Sequence, residues 1–217
     1  MTSTDNPGNT QPTRPRVGRP RSVESRRAII QSAMNILQTE GYAALNIEAI
    51  AARAGVSKQT IYRWWASAAF IVLEALLADM PAQETIAPDT GALKSDLLEL
   101  VRPTVRALSQ RRGPVFQALI AEAQADARFA EALRNSLMAA HRELVHAVVA
   151  RAKLRGEVVF DADEDLAADL IFGPILFRLL NGHAPLDEAF AFNLVDVTVA
   201  AMRHVEIGAR RAVEAAE

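Results

Sequence analysis

Between Ile47 and Trp65, two short helical patterns are joined by only three residues, Ala54-Gly55-Val56, and this junction restricts the chain to few packings. A glycine supplies the sharp turn, and small neighbours let the two helices cross closely. Ile50, Ala51, Val56 and Ile61 are spaced to form the apolar seam between them. Asn46 and Ser57 stand where the helices need N-caps. The pattern is that of a helix-turn-helix. Lys58, Gln59, Thr60, Tyr62 and Arg63 lie off the seam on the second of these helices. A major groove admits one helix, and side chains of these types donate to base edges or phosphates. The helix start at Ser57 also points backbone N–H groups outward, toward any bound phosphate.

Helical period dominates elsewhere too. Half the residues are hydrophobic, with few aromatics, and Ala and Leu prevail over alternating β-branched runs. Ser22 is placed to cap a first helix carrying Ala28, Ile29, Ala33, Ile36 and Leu37, which Gly41 stops. A helix from Ser67 to about Met80 carries Phe70, Leu73, Leu76 and Leu77, and Pro81 to Gly91 reads as a loop. Further helices are expected at about 93–110, 114–125, 127–154, 163–181 and 187–208. The expected fold is all-α with about nine helices. The expected divisions are a disordered basic arm at 1–21, a three-helix unit at 22–68 and a larger helical domain at 69–217.

The formal net charge of -2 conceals a split. Residues 1–70 hold nine Lys/Arg against four acids, and residues 71–217 hold 15 against 22. A basic head on an acidic body suits a chain whose head alone touches a polyanion. Gly18-Arg19-Pro20-Arg21 extends the basic character. Arg19 and Arg21 have the composition of arms that enter the narrow minor groove of A·T-rich DNA.

With no cysteine, a disulfide framework, a Cys-ligated zinc and a thiol nucleophile are excluded. No apolar run approaches the roughly 18 to 20 residues that span a bilayer. The polar stretch Met1 to Gln11 lacks the apolar segment of a secretory signal. The expectation is a cytoplasmic chain with no membrane partner. Glu143 and His146 have the i, i+3 spacing of di-iron bundles, but those sites need a second copy and two further glutamates. His141 and His146, five apart, do not share a helix face. No Gly-x-Ser-x-Gly, P-loop or His-Glu-x-x-His occurs. Glu164 and Asp165, at a helix start, suit the helix dipole. The sequence therefore assigns no catalytic residue, metal ligand or cofactor. A helical metalloenzyme and an effector-independent DNA-binding protein stand as alternatives to a regulator.

The run from Ala28 through Gly41-Tyr42-Ala43 to Ile47–Trp65, above all Gly55-Val56-Ser57, Thr60-Ile61-Tyr62 and Trp65, resembles the TetR family of repressors. Arg112-Gly113-Pro114-Val115-Phe116 and Asp169-Leu170-Ile171-Phe172-Gly173-Pro174 are similar to one of its regulatory-domain subgroups. By that resemblance Thr60 and Tyr62 match positions that touch phosphate or bases, and Lys58, Gln59 and Arg63 match positions that read sequence. Trp64 matches a phosphate-side contact, and Trp65 an aromatic packed inside the small domain. Two positions depart from the family. Ala66-Ser67-Ala68 stands where relatives carry Pro-Ser-Lys, so a phosphate-binding lysine is absent. Glu48 stands where many carry Arg.

The resemblance further implies a homodimer on a palindromic double-stranded operator, released by a small-molecule effector. Phe116, Leu119, His141, Phe172 and Phe177 are the candidates for its cavity, chosen for size or for polarity at apolar places. The last two expected helices carry more apolar surface than one pair buries internally. The family's dimer interface then falls on them, with Leu170, Ile171, Ile175, Leu194, Val197 and Met202 as candidates.

Overall fold

The computed structural model describes residues 20–80, 86–158 and 163–204, and all regular elements among them are helical. The head comprises α1 (Pro20–Thr39), α2 (Ile47–Ala54), α3 (Lys58–Tyr62) and α4 (Ala68–Ala78). The body comprises α5 (Leu93–Leu108), α6 (Arg112–Ala125), α7 (Ala127–Leu133), α8 (Ala139–Leu154), α9 (Glu164–Asn181) and α10 (Glu188–His204). A π turn at Arg134–Met138 joins α7 to α8 without a break. These two thus form the single expected rod 127–154, and the described residues contain nine rods. Residues 1–19 of the expected arm, including Arg19, lie outside the described residues, as does the expected helix end beyond His204, while Pro20 and Arg21, expected in the disordered arm, belong to α1.

Helix boundaries follow local chemistry. Gly55 takes the left-handed conformation, φ 65°, that the turn demands. Asn46 accepts from the Ala49 N–H at 2.8 Å, and Ser57 from Thr60 N–H at 3.3 Å, as expected of N-caps. Ser22 is not a cap. Helix α1 already begins at Pro20, whose ring pre-sets φ for a first helical position.

Two apolar cores organise the chain. In the head, Ile29, Ala33 and Ile36 of α1 meet Ile50 and Ala51 of α2, Ile61 of α3 and Trp65. Helix α4 is apolar almost all round, and Ala69, Ile71, Val72, Leu73, Ala75 and Leu76 are all buried. Helices α1 to α3 cannot cover every side of it. Leu119 of α6 and Phe129 and Leu133 of α7 close the remainder, with Phe70 edge-on to Phe129 at 5.1 Å. The division expected at residue 68 is therefore not where packing divides, because α4 and part of the body share the head's core. The second core joins Leu97 and Val101 of α5 to Val145 and Val149 of α8, Ile171 and Ile175 of α9, and Val195 of α10.

One buried charge fastens the body. Asp96 has no exposed surface. It accepts from Thr90 Oγ1 at 2.7 Å and from Arg155 at 3.1 Å. Burial alone would raise its carboxyl pKa, but the hydrogen bonds from Thr90 and Arg155 outweigh burial and hold it low.

Candidate nucleic-acid interface and cavity

Helix α3 offers its polar side outward. Lys58, Gln59, Tyr62 and Arg63 are exposed, Tyr62 at 55%, while Ile61 on the opposite side is fully buried. Thr60 is half-buried, and its hydroxyl lies 3.0 Å from that of Ser57. Trp65 is buried and its indole N–H donates to Glu74 at 2.9 Å, so it ties the end of α3 to α4. Arg26 of α1 pairs with the same carboxylate at 2.7 Å and lies 5.7 Å from the half-buried Trp64 ring. These contacts brace the end of α3 against α1 and α4. Arg21 lies in the first turn of α1; its side chain lies outside the described residues.

Lys58 does not point free. Its ammonium pairs at 2.7 Å with Glu48 of α2. That hydrogen bond raises the lysine pKa and lowers the carboxylate's. The two residues were legible separately, one as a DNA contact and one as a departure from the family. Their pairing needed the crossing of α2 and α3. Arg53 is likewise held, by Glu40 at 2.7 Å and Asn35 at 2.9 Å. Arg63 is the cation on α3 without a partner among the described residues.

Below the head lies a cavity of about 330 Å³ between α4, α5, α6, α8 and α9. Of the candidates for a ligand cavity, Phe116, His141 and Phe172 line it. Leu119 does not: it is fully buried on the other side of α6, in the head core. Phe177 does not either, since its place on α9 turns it outward, 61% exposed, against His183. Leu137 and Met138 of the π turn complete the wall, and a widened turn at a cavity is a recurring association. Thr104 and Arg112 also line it, and no periodicity argument singled them out.

Two of the lining polar side chains bond back to their own helix. Thr104 donates its hydroxyl to the Leu100 carbonyl at 3.1 Å, and His141 Nδ1 faces the Leu137 carbonyl at 2.8 Å. A carbonyl only accepts, so Nδ1 carries the proton in that arrangement. The Thr104 hydroxyl keeps lone pairs free to accept. The His141 ring also meets Phe172 edge-on at 5.5 Å. By contrast, His146 sits 3.0 Å from Asp165, which Arg142 also holds at 2.9 Å. His146 thus has a carboxylate partner across helices, and no group of three or more potential metal ligands occurs among the described residues.

Residues 29–75 match the model of bacterial regulatory proteins of the tetR family. Residues 87–198, more than half the chain, match that of the tetracyclin repressor-like C-terminal domain. The chain belongs to the TetR family. Among TetR-type relatives, the HTH-type transcriptional regulator YdeS of Bacillus subtilis is 32% identical over 82% of this chain and 89% of its own length. The DNA-binding transcriptional repressor TetR of Mycobacteroides abscessus is 31% identical over 78% of this chain and 88% of its own. The solved structure of the TetR-family regulator SCO0332 superposes with a TM-score of 0.69 at 31% identity, covering 82% of this chain and 97% of that one. These TetR proteins are transcription regulators, not enzymes, and so is this chain, with α2 and α3 as its DNA-binding motif. None of its described helices is long and apolar enough to cross a membrane.

The dimer candidates separate into two sets. Ile171, Ile175, Leu194 and Met202 face the subunit's own core and are buried within it, so they are corrected from interface to core. Leu170 and Val197 face outward, Val197 at 68% exposure. Beside the exposed Asp165, Asp169 and Asn181, the exposed positions on α9 without a polar side chain are Leu166, Leu170, Gly173, Phe177 and Leu180. Their alternating spacing of four and three draws one continuous stripe. An added Cβ at Gly173 would meet nothing within 4 Å.

Proposed function

We propose that this chain is a ligand-responsive repressor that binds a palindromic operator as a homodimer and releases it when a small effector fills the cavity. The observation that carries the reading is Leu76. This one residue of α4 belongs to the head core and also lines the cavity. A guest that displaces α4 there moves α1 and α3 with it. The relative from Mycobacteroides abscessus, called a repressor, supports the sign of regulation. The outward α9 stripe supports the dimer, since it is an apolar surface that a single copy leaves in water. Two-fold symmetry then sets the recognition helices about 34 to 36 Å apart, or modestly more. Arg63, Tyr62, Gln59 and Thr60 read or grip the site, with Ser57 at the helix start and Trp64 on the phosphate side. Arg19 and Arg21 reach into the minor groove, and a DNA partner places the chain in the cytoplasm.

Apolar molecules bearing a hydrogen-bonding group suit the cavity, because Phe116 and Phe172 line it beside Thr104, His141 and Arg112. Coupling requires the guest to prefer the conformation that does not bind DNA. Mobility-shift titration of DNA upstream of the chain's own gene tests the reading. Specific binding is expected, lost on Arg63→Ala or Tyr62→Ala. A thermal-shift screen then finds effectors by the stabilisation that binding confers. Binding unchanged by both substitutions would sink the assignment of the reading helix. An operator that no cavity ligand releases would favour an effector-independent binder.

A further inference from the structure

A second, larger cleft of about 540 Å³ opens where the head meets the body, between α1, α4, α5 and the start of α6. No residue of α2 or α3 lines it. Its chemistry is divided. Met34 and Leu37 of α1 and Val115 of α6 contribute apolar surface, and Arg102, Arg106, Arg111 and Arg112 contribute four guanidinium groups. Asp79 is the one carboxylate among the lining residues. Arg102 is engaged by Glu188 and lies against the Phe192 ring at 4.6 Å, and Arg112 reaches the Asp79 carbonyl at 3.3 Å. Arg106 and Arg111 are exposed and have no side-chain partner among the described residues.

Such a cluster is out of keeping with its surroundings, because residues 71–217 carry an excess of seven acids. Concave walls bearing one sign of charge concentrate counter-ions. Arginine forks bind carboxylate and phosphate oxygens in pairs. An apolar surface beside them adds a preference that a bare ion does not satisfy. We propose that this cleft is a second ligand site, for an amphipathic anion. An apolar chain lies on Met34, Leu37 and Val115, and its carboxylate or phosphate sits between Arg106 and Arg111. The occupant touches both α1 and the α5–α6 corner, and the cleft shares Leu76, Ala107 and Arg112 with the wall of the deeper cavity. The site does not rest on the repressor reading.

Isothermal titration of the full-length protein with decanoate, kept monomeric in solution, tests this, with decanol and sulfate as matched probes. Decanoate is expected to bind, and decanol and sulfate at equal ionic strength to bind at least tenfold more weakly. Arg106→Gln with Arg111→Gln is expected to weaken decanoate at least tenfold, while the paired lysine substitutions retain most of the binding. Phe172→Ala, in the other cavity, is expected to leave it unchanged. No decanoate binding, equal binding of decanol, or loss through Phe172→Ala instead of the arginines would overturn the proposal. A match by sulfate would reduce the cleft to an oxyanion site and overturn the amphipathic class. Loss of DNA affinity by the glutamine variant without any decanoate would reassign the arginines to DNA phosphates. Operator binding by the unliganded wild type is measured separately, so failure here and failure of the repressor reading are distinguishable.

Discussion

Glu48 acts at the scale of a single side chain. It occupies the ammonium of Lys58 at 2.7 Å, on a surface where a phosphate would compete for the same donor. An exposed pair of this kind adds little to stability, so its consequence falls on binding. Glu48→Gln is expected to leave the melting temperature unchanged and to tighten DNA binding. It should also steepen the log-affinity against log-salt slope by about one, as one more phosphate is neutralised. Fluorescence anisotropy across a salt series reads this, and an unaltered slope would show that Lys58 never reaches the DNA. Asp96 makes the opposite contribution, to stability. Removing it strands Arg155 and Thr90 around a buried site, and Asp96→Ala is expected to cost about 3 kcal/mol in urea unfolding. Its carboxyl is held low in the folded state. The stabilisation is therefore complete above the unfolded value of about 4 and is lost as pH falls through the folded pKa. Acid unfolding of Asp96→Asn should lack that component.

Between elements, short helices depend on their ends. Helix α3 has only five residues, so its Ser57 cap and the Asn46 cap of α2 carry a large share of local order. Asn46→Ala is expected to cost about 1 kcal/mol, with the head melting before the body. At the α5–α6 corner the constraint is steric. A Cβ on Gly113 would stand 2.1 Å from the Leu108 carbonyl oxygen and 3.3 Å from Leu179. The backbone oxygen cannot give way as a flexible side chain would. Gly113→Ala should therefore shift the α6 start and lower the melting temperature by several degrees, with cavity ligands losing affinity as Phe116 and Arg112 move. An unchanged melting temperature would mean the corner relaxes freely.

For the whole molecule, the informative contrast is between two faces of one helix. Phe177 and Leu170 stand on the outward stripe of α9, and Ile175 stands on its inward side. Phe177→Asp with Leu170→Asp is expected to leave a folded monomer in sedimentation velocity, with operator affinity falling by orders of magnitude as bivalent engagement is lost. Ile175→Ala is expected to lower stability by about 2–5 kcal/mol without changing the sedimenting species. The reverse pattern would exchange the roles assigned to the two faces. Cavity and head are joined through α4, so variants of Leu76 should alter ligand response and DNA affinity together, whereas variants of Phe172 should alter ligand response alone.

The turn at Gly55, its caps and the boundaries of most helices were legible in the sequence, because capping, glycine conformation and apolar period are local properties. The outward polar side of α3 followed as well: residues on one helix have relative directions that spacing alone decides. Which of two apolar sides faces the core was beyond spacing. Ile171, Ile175, Leu194 and Met202 are indistinguishable from Leu170 and Val197 by composition, and only the packing of α9 and α10 against α5 and α8 sorted them. Leu119 and Phe177 left the cavity for the same reason. What the local pattern could not name are the juxtapositions made across helices, such as the pairing of Glu48 with Lys58 or the gathering of four arginines around one cleft. The helix-turn-helix was thus determined by the residues between Ile47 and Trp65. What its lysine touches and what lies beneath it were decided by tertiary structure, since contacts between helices depend on how the rods cross.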